Sequence, residues 1–136
     1  MGSRRKSREL AMQFLYHLEL NRHDLQEGLE GFWRMNPTDG TCKEFAESLI
    51  TGTLENREEI DSIIGTFTIN WDLERIALVD RNVLRIAIYE MLFRDDIPPV
   101  VSINEAVDIA KKFSTAESGK FVNGILDRIK IEVLHL

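Results

Sequence analysis

The sequence predicts an all-α protein, and three features of its pattern support this fold class. Apolar residues recur at spacings of three and four along most of the chain, which is typical of amphipathic helices. β-Branched residues seldom alternate with polar ones, so strand patterns are scarce. With 136 residues, 43% hydrophobic and 29% charged, the composition is that of an ordinary soluble protein with one core. We therefore expect residues 1–136 to form one domain of about seven helices.

The N-terminal third of the chain contains two predicted helices. The first runs from about Arg4 to Asn21, with an apolar stripe that includes Phe14 and Leu18. The second covers residues 24–35. Pro37 and Gly40 follow it, and both residue types end helices.

The middle of the chain contains three further predicted helices. Two of them cover residues 43–50 and 57–67. The strongest pattern runs from Asp72 to Phe93, which predicts a long central helix. Its predicted core face consists of the following residues: Leu73, Ile76, Ala77, Leu84, Ala87, Ile88 and Met91.

The last two predicted helices begin at capping boxes. Pro98 and Pro99 end the central helix, and Ser102 with Glu105 has the spacing that starts a new one. Ser114 and Glu117 repeat this spacing before the C-terminal helix.

Basic residues are concentrated at the N-terminus. The net charge of the chain is −6, but residues 1–8 carry Arg4, Arg5, Lys6 and Arg8 with no acid, a local charge of +4. The rest of the chain has 13 basic and 23 acidic residues, a charge of −10. Each cation at a helix N-terminus opposes the helix dipole by about 0.3 to 1 kcal/mol, so four of them favour a phosphate-binding arm. A solvated basic terminus without a ligand is the alternative, and charge alone does not separate the two.

Tyr16 is the aromatic residue nearest to this arm outside the apolar stripe of the first predicted helix, to which Phe14 belongs. A tyrosine in this position can stack on an unpaired RNA base. Because Tyr16 lies beside the apolar stripe, a half-buried core tyrosine is the interpretation favoured by the pattern alone.

Catalytic and metal-binding motifs are missing from the sequence. It has no glycine-rich phosphate loop and no grouping of Ser, His and Asp, and His17 and His23 lack the spacing of two ligands on one helix face. We therefore expect no enzymatic activity, no cofactor and no metal. No apolar run is long enough for a membrane span, and the single cysteine, Cys42, cannot form an internal disulfide. These features predict a cytoplasmic protein.

Three segments together carry a resemblance to a known family. They are RRKSRE at residues 4–9 leading to Leu15 and Tyr16, VLRIAIYE at 83–90, and INEA at 103–106 followed by KFVNGILD at 120–127. In their order and separation they resemble the NusB family of transcription antitermination factors over nearly the whole chain. Residues 21–70 resemble the family in helical pattern alone.

The resemblance implies two packed three-helix subdomains and a non-enzymatic RNA-binding adaptor. The arginine-rich N-terminal helix would bind single-stranded boxA RNA of ribosomal RNA leaders. The implied partner is NusE, a small-subunit ribosomal protein that strengthens boxA binding. With further Nus factors, the complex would modify RNA polymerase so that it passes terminators.

The resemblance also implies which residues bind RNA and the partner. The family's arginine-rich arm falls on Arg4, Arg5, Lys6 and Arg8, and its RNA-contacting tyrosine falls on Tyr16. Further RNA-side positions match the following residues: Arg85, Glu117, Lys120, Phe121 and Asn123. Asp80 matches an acidic position that faces NusE. For Phe121, a core role is equally compatible with its spacing.

Other functions stay open at this point. One alternative is a protein-docking scaffold that binds no RNA. Another is the NusB-like module that precedes the catalytic domain of some ribosomal RNA cytosine methyltransferases, although 136 residues leave no room for that second domain. Some family members form homodimers and others are monomers, and no sequence feature decides between them.

Overall fold

Seven α-helices and one short 3-10 helix make up the described part of the chain, residues 2–22, 24–68 and 73–136 of a computed structural model. The helices are α1 (Gly2–Leu20), α2 (Leu25–Met35), α3 (Gly40–Glu55), α4 (Arg57–Phe67), α5 (Leu78–Phe93), α6 (Pro99–Phe113) and α7 (Ala116–Glu132). No strand occurs in these residues, which confirms the all-α prediction. None of their helices combines the length and apolarity that crossing a membrane requires. His23 and Asp72 lie outside the described residues.

Helix α5 is at the centre of the packing. It contacts α1, α3, α4, α6 and α7. Five of the seven residues predicted for the core face of the central helix are buried: Ile76, Leu84, Ala87, Ile88 and Met91. Leu73 is half-buried and Ala77 is exposed, and both precede the start of α5. The sequence therefore predicted both the central position of this helix and its buried side.

Two groups of three helices pack against each other. In the first group α1 contacts α2 and α3, and in the second α5, α6 and α7 contact one another. Contacts of α1 and α3 with α5 join the groups, while α4 packs against α5 and α7. This is the arrangement that the resemblance implies.

The prediction of one continuous helix from Asp72 to Phe93 is wrong. A 3-10 helix covers Leu73–Arg75, and α5 begins at Leu78 after Ala77, whose ψ of 139° is not helical. The guanidinium of Arg81 donates hydrogen bonds to the carbonyls of Glu74 and Ile76, at 3.1 and 2.9 Å. Both carbonyls therefore have a hydrogen-bond donor even though the helix is interrupted here.

Both predicted capping boxes are also wrong in detail. Helix α6 begins at Pro99, because proline fits the first turn, where a missing N–H is harmless. The Ser102 hydroxyl instead donates to Glu90 Oε1 at 2.7 Å. At the next helix the cap is Thr115, whose hydroxyl accepts from the Ser118 N–H at 3.0 Å. Periodicity located these helices, but packing decided which polar side chains cap them.

Candidate nucleic-acid interface

Two of the four predicted arm cations form no ion pair with a carboxylate of the described residues. Arg4 and Lys6 are exposed on the first turns of α1, and no carboxylate of the described residues lies within ion-pair distance of either. The Arg4 guanidinium lies 4.3 Å from the centre of the Phe45 ring, a cation–π contact with α3. These two cations are available to a phosphate.

The third arm cation, Arg5, is held by α6. Its Nε donates to Glu105 Oε1 at 2.8 Å, and its Nη2 donates to Asp108 Oδ2 at 3.0 Å. The hydrogen bond from Arg5 holds the pKa of Glu105 below its usual value, although burial opposes the shift. Arg5 therefore attaches the start of α1 to α6 while remaining partly exposed.

The fourth arm cation, Arg8, is buried. Its Nε and Nη2 donate to the two carboxylate oxygens of Glu90 at 2.7 and 2.9 Å, a bidentate ion pair. The Ser102 hydroxyl donates to the same carboxylate. The Arg8 side chain is 5% exposed and that of Glu90 is 1% exposed. Arg8 thus connects α1, α5 and α6 and is closed to a ligand in this structure.

Arg85, predicted on the RNA side, is buried in a second ion-pair network. Its Nε donates to Asp61 Oδ1 and its Nη1 to Glu19 Oε1, both at 2.8 Å. Burial raises the pKa of Glu19, but hydrogen bonds from Arg81 and Arg85 and the charge of Arg85 outweigh it, so the net shift is downward. Arg85 connects α1, α4 and α5, and its guanidinium also faces the interior.

Asp80, predicted to face a protein partner, lies between α5 and α7. Its Oδ2 accepts a hydrogen bond from the Ser118 hydroxyl at 3.0 Å, and its Oδ1 has no partner among the described residues. Burial raises the pKa of this carboxyl, and the bond from Ser118 opposes the shift. The structure therefore gives Asp80 an interior position.

The start of α7 presents a second group of predicted residues. Glu117, Lys120 and Asn123 are exposed, and Lys120 Nζ lies 3.6 Å from Glu117 Oε1. With side chains 77% and 84% exposed, this pair is solvated and open to a ligand. Phe121 is half-buried and packs against the core.

Tyr16 is also half-buried against the core. Its ring meets the ring of His17 edge to face, with centroids 5.6 Å apart. This position agrees with the core tyrosine that the helical pattern favours. It leaves part of the ring exposed.

Helix α6 contacts α1 and α7 through two lysines that the sequence did not predict as functional. Lys112 Nζ donates to both carboxylate oxygens of Glu9 on α1, at 2.9 and 3.2 Å. The side chain of Lys111 lies against Gly119 at the start of α7. A basic pair in the last turn of a helix was the available signal, but such a pair also fits the helix dipole and so indicates no ligand.

The fold and this surface define an all-helical protein with exposed cations on α1 and at the start of α7. The NusB family matches residues 5–130, nearly the whole chain. The chain therefore belongs to the NusB family.

Curated relatives and solved structures agree with this membership. The chain is 49% identical to the transcription antitermination protein NusB of Thermodesulfovibrio yellowstonii, with 97% of this chain and 95% of the relative covered. It is 52% identical to that of Methylacidiphilum infernorum, with 95% and 91% covered. T. maritima NusB matches with a TM-score of 0.86 at 46% identity, covering 95% of this chain and 91% of the other. A chain in the crystal structure of antitermination factors NusB and NusE in complex with dsRNA matches with a TM-score of 0.85 at 31% identity, covering 95% and 96%.

Proposed function

We propose that this chain is a non-enzymatic, cytoplasmic RNA-binding adaptor of transcription antitermination. The observation that carries the proposal is the exposure of Arg4 and Lys6, on a helix end that ion pairs of Arg5 and Arg8 attach to α5 and α6. Because this helix end is already held in place, little conformational entropy is lost when its cations bind phosphate. The named function of the relatives supports the same conclusion.

The exposed residues make the direct RNA contacts. RNA phosphates are neutralised by Arg4 and Lys6 of α1 and by Lys120 of α7. The Asn123 amide pairs with a base edge, and Glu117 limits where a phosphate can lie. The half-buried rings of Tyr16 and Phe121 offer their exposed parts for base stacking.

The buried residues act by positioning. Arg8 orients α1 through Glu90, and Arg85 orients it through Glu19. Arg5 has both roles, because its guanidinium is partly exposed beside Glu105 and Asp108. Asp80 supports the partner surface by holding α7 through Ser118.

NusE is the proposed protein partner, and single-stranded boxA RNA is the proposed nucleic acid. A structure similar to this chain contains NusB and NusE with dsRNA. The −10 charge outside the arm favours a basic partner and repels RNA from the rest of the surface. The complex would act on RNA polymerase together with other Nus factors.

The test is a titration of labelled boxA-like RNA and a scrambled RNA of equal length, with and without NusE, at several salt concentrations. We expect boxA preference that NusE strengthens. The double variant Arg4→Ala/Lys6→Ala should bind more weakly, with a log-log salt slope shallower by about 0.7 for each phosphate that it no longer neutralises.

The matched control is Arg128→Ala/Lys130→Ala, which removes equal charge near the far end of α7. Its RNA affinity and salt slope should stay close to those of the unmodified protein. Equal, weak binding of the two RNAs under every condition would contradict the RNA role and leave the protein-docking scaffold as the function.

A further inference from the structure

A groove of about 320 Å³ opens beside the N-terminal arm. It lies between the start of α1, the connection from α5 to α6, and the first turn of α6. Its lining residues are Arg4, Arg8, Asp96, Ile97, Pro98, Val101 and Glu105. None of these residues belongs to the start of α7, so the groove is separate from the second predicted RNA-side group.

The groove combines an apolar surface with polar groups of both signs. Pro98 and Val101 supply the exposed apolar part, and the neighbouring Ile97 is 3% exposed. Asp96 and Glu105 supply carboxylates, which repel a phosphate placed inside the groove. Arg4 is the lining cation that has no carboxylate partner among the described residues, and it is exposed. This chemistry suits a flat, uncharged ring with N–H donors whose attached phosphate stays outside, next to Arg4.

One wall of the groove is fixed before any ligand arrives. The Arg94 Nε and Nη2 donate to the two oxygens of Asp96, both at 2.9 Å, and its Nη1 donates to the Ser48 hydroxyl at 3.1 Å. Arg94 also lies 5.4 Å from the centre of the Phe45 ring that Arg4 covers. The carboxylate of Asp96 is thus oriented by Arg94, and its remaining lone pairs can accept further hydrogen bonds.

We infer that this groove is a nucleotide subsite for a base with an exocyclic amino group, as in cytosine or adenine. The base lies on the exposed side chains of Pro98 and Val101, its amino group donates to Asp96, and its phosphate pairs with Arg4. Uracil fits less well, because a carbonyl oxygen replaces the amino group and meets the carboxylate. The inference rests on the proposed RNA function and extends it from Arg4 to Asp96, Pro98 and Val101, which the sequence did not predict to bind RNA.

Two neighbouring valines allow a matched test. Val101 lines the groove and is 41% exposed, whereas Val100 is 53% exposed and is not among the lining residues. Val101→Phe fills the groove from an exposed position, and Val100→Phe adds the same bulk outside it. We expect Val101→Phe to weaken boxA-like RNA binding about tenfold, corresponding to about 1.4 kcal/mol, the size of one stacked base. Val100→Phe should bind as tightly as the unmodified protein.

The base preference is tested with oligocytidine and oligouridine of equal length. The unmodified protein and Val100→Phe should prefer oligocytidine, and Val101→Phe should lose most of that preference. The subsite is overturned if Val101→Phe and Val100→Phe bind each RNA with the same affinity, whether that affinity is unchanged or reduced.

A measurement on the unmodified protein covers the case in which Val101→Phe does not fold. The methyl NMR signals of Ile97 and Val101 should shift on addition of oligocytidine, while that of Ile131, an exposed residue on α7, should not. Unshifted Ile97 and Val101 signals in RNA-bound protein would also overturn the subsite. Failure of the unmodified protein to prefer boxA-like over scrambled RNA contradicts the proposed function instead, so the two failures are distinguishable.

Discussion

Arg8 and Glu90 form an ion pair that the packing of α1 against α5 removes from water. A buried pair of this kind is worth little compared with an apolar replacement, but loss of one partner leaves the other charge buried and unpaired. The pair therefore fixes how α1 lies on α5. It also explains why an arginine predicted to bind RNA is closed to solvent.

The first prediction concerns this pair. Glu90→Gln should lower the free energy of unfolding by about 3 kcal/mol, because the buried Arg8 guanidinium loses its bidentate partner and keeps only the Glu105 carboxylate, at 3.3 Å. Urea denaturation measures the change. Glu132→Gln removes the exposed partner of Arg128 and should have little effect. A Glu90→Gln protein as stable as the Glu132→Gln protein would contradict a structural role for the pair.

A second residue-scale prediction concerns Gly52 on α3. A Cβ added at Gly52 would collide with the ring of Tyr89, whereas a Cβ added at Gly65 on α4 would meet nothing within 4 Å. Gly52→Ala should destabilise the protein by about 1 to 3 kcal/mol through overpacking. Gly65→Ala should stabilise it by up to about 1 kcal/mol, because alanine favours helix. The midpoint temperature of thermal unfolding should therefore fall for Gly52→Ala and rise for Gly65→Ala.

At the scale of elements, α1 is attached to α6 by a row of charged contacts. Arg5 pairs with Glu105 and Asp108, and Glu9 pairs with Lys112. Each contact is partly solvated and therefore weak by itself. Together they hold the arm at one angle, which the proposed RNA site and the groove beside it both require.

The pH dependence of stability follows from this attachment. Because the pKa of Glu105 is lowered on folding, its contribution to stability is present above its unfolded pKa of about 4.3 and is lost as the pH falls through the folded value. The unmodified protein should lose stability below about pH 5. Glu105→Gln should be less stable at pH 7 and should lose less between pH 5 and pH 3. Parallel stability curves for the two proteins would contradict the assignment.

The cap of α7 provides another prediction at this scale. Thr115 accepts from the Ser118 N–H, so Thr115→Ala should cost about 1 kcal/mol of stability. Thr51→Ala, at an exposed position inside α3, serves as the control and should change stability little. If both substitutions have the same effect in urea denaturation, Thr115 does not cap α7.

At the scale of the whole molecule, charge is divided between the +4 arm and the −10 remainder. In the proposed function, the exposed arm cations Arg4 and Lys6 attract RNA, and the negative charge of the remainder attracts a basic protein. The net charge of −6 alone does not show that the positive charge is concentrated at the N-terminus.

The corresponding prediction concerns the rate of association with NusE. The association rate constant should fall as the salt concentration rises, because salt screens the long-range attraction. Arg4→Ala/Lys6→Ala should leave this rate unchanged or raise it, since it removes positive charge, while it weakens RNA binding. Stopped-flow mixing measures the rate, and a rate independent of salt would contradict electrostatic steering.

Local pattern was sufficient for the helices and for the core of α5. Within α5, the spacing of Leu84, Ala87, Ile88 and Met91 predicted a buried face, and all four are buried. Leu73 and Ala77, predicted for the same face, precede α5 and are not buried. Local pattern failed where a side-chain partner competes with the regular hydrogen bonds of a helix or its cap. The break before α5 involves carbonyls that accept from Arg81, and Ser102 turns to Glu90 instead of capping α6.

The sequence by itself determined the helical class, the central helix and the concentration of positive charge at the N-terminus, because periodicity and composition are local properties. The tertiary structure decided which of those charges are free. Arg4 and Arg8 are four residues apart and share a face of α1. Arg8 is buried against Glu90 and Arg4 is exposed on Phe45. Glu90 is 82 positions from Arg8 in the sequence, so only the packing of α1 against α5 brings the two charges together.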